Sequence, residues 1–123
     1  MLNIQNQMLC CFVLNTYGPA HQLIKLNEEM AELNQEACKI LLSEGPIRPT
    51  EHFREELADV AVMLQQAIMM FGISKDEINL RAMEKLKRAI KRSGDYYGVS
   101  NKADYPSEAE DKEKFPADNE GRE

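Results

Sequence analysis

Residues 19–42, PAHQLIKLNEEMAELNQEACKILL, and residues 50–72, TEHFREELADVAVMLQQAIMMFG, decide the fold of this 123-residue chain. In the first stretch Leu23, Leu26, Met30, Leu33, Ala37 and Ile40 recur at alternating steps of three and four, which places them on one face of a helix. Pro19 suits the first turn, where a missing N–H loses no helical hydrogen bond, and the helix should reach about Leu42. In the second stretch Thr50 is placed to cap an N-terminus and Gly72 to close the helix as its C′ residue. Between the two, Ser43 to Pro49 carries Gly45, Pro46 and Pro49 and breaks the pattern.

Outward from this pair, Ile4, Met8, Cys11 and Phe12 suit one face of an N-terminal helix over about Asn3 to Asn15, which Tyr17-Gly18-Pro19 ends. Downstream, Ser74-Lys75-Asp76-Glu77 reads as a capping box that opens a fourth helix through Ile78, Met83, Leu86 and Ile90 to Gly94. From Val60 to Phe71 only Gln65 and Gln66 are polar, so the third helix is apolar nearly all round and wants burial on several sides. A domain this small supplies that burial most readily through a second subunit. The expectation is therefore an all-α, four-helix bundle over residues 1–94 that forms a homodimer or homotetramer through its apolar helix. Residues 95–123 read as an acidic tail, mobile or docked through Tyr96, Tyr97, Tyr105 and Phe115. No internal repeat and no glycine-rich phosphate loop is present.

The formal charge is −6; residues 95–123 hold nine acids against four bases and contribute −5 of it, leaving −1 on residues 1–94. That balance argues against a DNA or RNA partner. Cys10, Cys11 and Cys38 are odd in number, and adjacent cysteines within a helix do not bridge, which fits a reducing cytoplasm. The apolar run Met8 to Leu14 has no basic flank before it, the first lysine being Lys25, and is too short to cross a bilayer. Neither a signal peptide nor a membrane span is expected.

The chemistry lies in two carboxylate pairs at i,i+3 spacing, Glu29 with Glu32 and Glu56 with Asp59. On a helical wheel Lys25, Glu29, Glu32 and Glu36 make a stripe beside the apolar seam of the second helix, and Glu28 points away. His52, Glu56, Asp59 and Met63 make the matching stripe on the third, beside a seam of Leu57, Val60, Leu64 and Phe71, with Glu55 turned aside. Carboxylates bordering two apolar seams repel each other and lose hydration, so something cationic should compensate them. In an antiparallel hairpin, Glu29 and Glu32 lie about 16–21 Å from the loop end and Glu56 and Asp59 about 9–14 Å, so the levels match to within roughly a turn. Solvated helix faces are the plain alternative. Four hard oxygen ligands without Cys or His favour Mg²⁺ or Mn²⁺ over zinc, and such sites handle phosphates.

Glu28-Glu29-Met30-Ala31-Glu32, followed by Glu56-Leu57-Ala58-Asp59, resembles the EExxE and ExxD signature of the MazG-like, all-α nucleoside triphosphate pyrophosphohydrolases. The flanking residues of both motifs are similar too, and the resemblance spans about Tyr17 to Arg92, in the short, single-module form of phage and bacterial members. It implies Mg²⁺- or Mn²⁺-dependent hydrolysis of a nucleoside triphosphate to the monophosphate and pyrophosphate, with more than one ion once substrate is bound. Glu29, Glu32, Glu56 and Asp59 would be the metal ligands and the catalytic set. Lys85 and Arg88 match a basic pair that similar proteins bring to the triphosphate, although basic residues near a helix end also simply complement its dipole. Lys25 is either a phosphate contact or the partner of Glu29 in an i,i+4 salt bridge.

The chain has no Trp, so it departs from relatives that stack a cytosine base on tryptophan. Base recognition falls to Phe12, Asn15, Tyr17, tail aromatics or a neighbouring subunit, and purine deoxynucleotides are the substrate that analogy suggests. Phosphoribosyl-ATP pyrophosphohydrolysis is the nearest enzymatic alternative. A non-catalytic helical interaction module is the alternative of a different class.

Overall fold

The computed structural model describes residues 2–97, with side chains through residue 94. The expected tail over residues 95–123, with its four aromatic anchors, lies outside the residues whose side chains are described. Four helices run α1 (Ile4–Tyr17), α2 (Pro19–Leu42), α3 (Glu51–Met70) and α4 (Lys75–Tyr97), and no strand occurs among the described residues. The protein is all-α. No single described helix is long and apolar enough to cross a membrane.

Local chemistry sets the boundaries. Asn3 Oδ1 accepts from the Asn6 N–H at 2.8 Å, Thr50 Oγ1 from Phe53 at 3.0 Å and Ser74 Oγ from Glu77 at 3.1 Å. Each cap satisfies an N–H that has no carbonyl partner in its first turn and contributes about 1 kcal/mol. At Ser74 only half of the expected box forms, because the Glu77 carboxylate accepts from Arg81 Nε at 3.1 Å, one turn along its own helix. Between α1 and α2, Gly18 adopts φ +84°, ψ 165°, which only glycine takes up readily, and Pro19 starts α2 directly behind it. The Gly18 N–H still donates to Leu14 O at 2.8 Å. After α3, Gly72 at φ +62° lets its own N–H reach Met69 O and the Ile73 N–H reach Ile68 O, a Schellman closure.

The chain divides into two compact units, residues 1–81 and the residues from Ala82 onward. In the first, α2 and α3 form the main helix pair and α1 packs on both. The buried apolar residues are Cys10, Leu14, Ile40, Val60 and Met63. Two expected faces turn out differently. Ile4, Met8, Cys11 and Phe12 of α1 are exposed, and its Cys10 and Leu14 edge is the one buried. With apolar residues around most of its circumference, α1 has no polar face to dictate which side turns inward. On α3, Leu57, Leu64 and Phe71 of the expected seam are also exposed, and the buried side carries Val60, Met63 and Gln66. The stripe bearing Glu56 and Asp59 thus belongs to the face that meets α2.

Candidate metal centre

The Gln22 and Gln66 side chains fix the register of the α2·α3 pair: Gln22 Nε2 donates to Gln66 Oε1 at 2.6 Å, both residues being buried. Carried along two antiparallel helices, that register sets Glu29 opposite Asp59 and Glu32 opposite Glu56. The last turn of α2 then overshoots the first residue of α3, which removes the mismatch of about one turn left by counting from the loop.

Glu29, Glu32 and Glu56 converge: one carboxylate oxygen from each lies within 4.8 Å of the others. Glu29 is the most buried, at 6% exposure, and accepts an ion pair from Lys25 Nζ at 2.7 Å. Lys25 also reaches Glu28 at 3.2 Å, and these two partners hold its ammonium well above the usual lysine range. Partial loss of hydration, then the charges of Glu29 and Glu56, push the Glu32 carboxyl up from its ordinary value. Glu56 Oε2 is buried without a hydrogen-bond partner. Lys25 is paired with this group and reaches only Glu29 of the three. A buried carboxylate oxygen with no donor, held beside two further carboxylates, is the environment that a divalent cation satisfies. The donor set is all hard oxygen, so the residues fit Mg²⁺ or Mn²⁺.

Asp59 is not within the three-acid group. Its carboxylate sits one methylene nearer the backbone than a glutamate's, and it lines the adjoining cleft instead. That cleft, of about 390 Å³, is walled by Val13, Tyr17 and His21 and runs past Gln22, Lys25 and Glu29. Lys25 is thus both the partner of Glu29 and part of the cleft lining. Of the other sequence candidates, Glu36 is paired with Lys39, and His52 is exposed and sits 3.3 Å from Glu55. Lys85 and Arg88 lie on α4 in the second compact unit; both are exposed, and Arg88 is 4.0 Å from Glu84.

Sequence reasoning passed over His21, Gln22 and Gln66, which line the cleft. The signal was present at Gln66, one of two polar residues in the apolar run Val60 to Phe71. A buried amide in such a run needs a partner, and here Gln22 is that partner. No family model, no curated protein and no solved structure matches this chain.

Proposed function

We propose that the protein is a Mg²⁺- or Mn²⁺-dependent nucleotide pyrophosphohydrolase of the MazG-like kind, acting on a nucleoside or deoxynucleoside triphosphate. The observation that carries the reading is the convergence of Glu29, Glu32 and Glu56, with Glu56 Oε2 buried and partnerless. The motif resemblance supplies the reaction: water adds to the α-phosphorus, the bond to the bridging oxygen breaks, and pyrophosphate leaves from the monophosphate.

Glu29, Glu32 and Glu56 would hold the cation, with Asp59 positioned on the cleft wall beside Glu29. A divalent ion there supplies charge neutralisation for the phosphates and acidifies water. The protein's own part is to place like charges together on two packed helices, so that they are poorly satisfied until a cation arrives. Lys25 pairs with Glu29, and its ammonium borders the cleft where a phosphate oxygen would compete for it. Lys85 and Arg88 enter as phosphate contacts by resemblance alone.

The exposed apolar residues of the first unit support a homo-oligomer. On α3, the helix expected to carry the contact, Leu57, Val62 and Leu64 are exposed, and on α1 Ile4, Met8, Leu9 and Phe12 are more so, at 60–76% in the single chain. An apolar face of this kind is what a second copy covers.

The test is pyrophosphate release from each canonical ribo- and deoxyribonucleoside triphosphate, and from phosphoribosyl-ATP, with Mg²⁺ or Mn²⁺. The proposal expects release from at least one nucleoside triphosphate, abolished by chelator and by Glu56→Ala. Preference for phosphoribosyl-ATP transfers the site to that reaction, and silence with every substrate overturns the enzymatic reading in favour of an interaction module.

A further inference from the structure

The cleft beside the acids ends in a polar chain whose direction follows from the placement of the Gln22 amide. His21 Nδ1 lies 2.7 Å from Gln22 Oε1. An amide oxygen only accepts, so the imidazole must carry its proton on Nδ1 and donate. The same Gln22 side chain turns its Nε2 to Gln66 Oε1. Gln66 therefore has its oxygen engaged, and its NH₂ makes no protein hydrogen bond among the described residues. The residue is 1% exposed and lines the cleft, and its Nε2 is not among the buried atoms without a partner, so this donor keeps access to whatever enters. A ligand acceptor placed there gives this donor a hydrogen bond inside the cleft.

Two further features define the ligand. Tyr17 stacks on His21, ring centroids 5.0 Å apart and planes 20° from parallel, and Tyr17 is 58% exposed. The pair gives the cleft a flat aromatic wall suited to a planar ring. From Gln22 to Glu29 along α2, and from Gln66 to Asp59 along α3, the helical rise is about 10 Å. That separation leaves room for a base and sugar between the amides and a phosphate at the acids. The cleft volume falls within the roughly 300–1,000 Å³ of small-ligand sites.

We propose that Gln66, oriented through Gln22 by His21, reads the nucleobase of the substrate by donating to the oxygen at purine C6 or pyrimidine C4, so the site selects bases with an oxo group there over those with an amino group. The inference rests on the nucleotide reading given above and assigns its specificity. A 6-oxopurine or a 4-oxopyrimidine presents an acceptor to the Gln66 NH₂. A 6-amino or 4-amino group presents a donor there and leaves two donors facing each other. Gln66 and Tyr17 contact the base; Gln22 and His21 are positioning residues that set the amide's direction.

The cleanest probe pair is dITP and dATP, which share the purine frame and differ in the oxo or amino group at C6 and the hydrogen at N1. The expected result is a kcat/KM at least tenfold higher for dITP, lost or inverted in Gln66→Glu, whose carboxylate replaces the donor with an acceptor. Tyr17→Leu, at an exposed position that the fold does not need, should raise KM for both substrates and leave their ratio in place. A readout independent of turnover is the ¹⁵N-labelled parent titrated with deoxyinosine and deoxyadenosine without metal. Deoxyinosine should shift the Gln22 and Gln66 side-chain amide signals, and deoxyadenosine should not. Hydrolysis of both triphosphates with dATP equal or preferred overturns this assignment and leaves the pyrophosphohydrolase reading standing. Amide shifts with deoxyinosine alone, in a protein that releases pyrophosphate from no nucleoside triphosphate, keep the base site and overturn the reaction. Amide signals that ignore both nucleosides overturn the base site whether or not Gln66→Glu folds.

Discussion

Acids on the outer faces of the helices and acids between α2 and α3 occupy the same kind of backbone, yet the fold treats them in opposite ways. Glu28, Glu55, Glu77 and Glu84 each have a basic partner three or four residues away on their own helix. Such exposed pairs contribute roughly 0–1 kcal/mol each, and their loss would pass almost unnoticed. Glu29, Glu32 and Glu56 instead face one another across two helices, and Lys25 answers only the first of them. The lesson is that helical propensity places an acid, whereas the partner helix decides whether its charge is a surface property or a demand for a ligand.

The sharpest way to break this comparison is to remove one acid of each kind. Glu56→Ala should lower pyrophosphate release and Mn²⁺ affinity at least ~100-fold, beyond the span typical of groups that merely support a metal ligand. Glu55→Ala, next to it in sequence but turned to solvent, should stay within about twofold in the same assays. Equal losses at both positions would erase the distinction between inner and outer acids.

A second experiment inverts the sign. In the metal-free protein the inner acids repel each other, so Glu56→Gln should raise stability by about 0.5–1 kcal/mol, a few degrees in melting temperature, while activity disappears. The opposite exchange of stability for function is common at sites built for a ligand. A fall in melting temperature on this substitution would mean that Glu56 already has a satisfying partner within the protein.

Acidity gives a third test. The fold raises the Glu32 carboxyl above its ordinary value of 4.5. An acid with a raised folded pKa favours the folded state below its unfolded pKa and loses that contribution as the pH climbs through the folded value. Metal-free protein should therefore lose melting temperature as the pH rises from about 4.5 toward neutrality. Glu32→Gln should flatten that slope. Added Mn²⁺ should restore more stability at neutral pH than at 4.5, because only ionised carboxylates bind it. A metal effect independent of pH contradicts the site.

The smallest effect concerns the apolar exterior. Phe12→Asp, at a residue 71% exposed in the single chain, should leave the fold intact and shift the scattering mass at micromolar concentration from oligomer toward monomer. A parent protein that is already monomeric there would remove the homo-oligomer from the account.

How far the sequence discloses this molecule depends on whether the deciding chemistry is local. Thr50, Ser74, Gly18 with Pro19, and Gly72 act within a few residues, so helix ends are legible directly. The facing of α1 is not, because its apolar residues surround the helix and only contact with α2 and α3 selects Cys10 and Leu14. The seam of α3 misleads for a related reason. Hydropathy puts Leu57, Leu64 and Phe71 inside, yet the α2 contact takes the acid and amide side and leaves those three residues exposed. Spacing brings out Glu29, Glu32 and Glu56, and the shorter reach of Asp59 separates it from them only once the register is known. Gln22 and Gln66 were the hardest to read, since a glutamine carries no charge and reveals its role only through the partner it meets 44 positions away.

The central claim is that a divalent cation belongs between Glu29, Glu32 and Glu56, and the most direct measurement is a Mn²⁺ titration of the full-length protein followed by electron paramagnetic resonance. The account predicts saturable loss of the free Mn²⁺ signal in the parent, competed by Mg²⁺, retained in Glu55→Ala and lost in Glu56→Ala. Binding that is absent in the parent, or unchanged in Glu56→Ala, would contradict it.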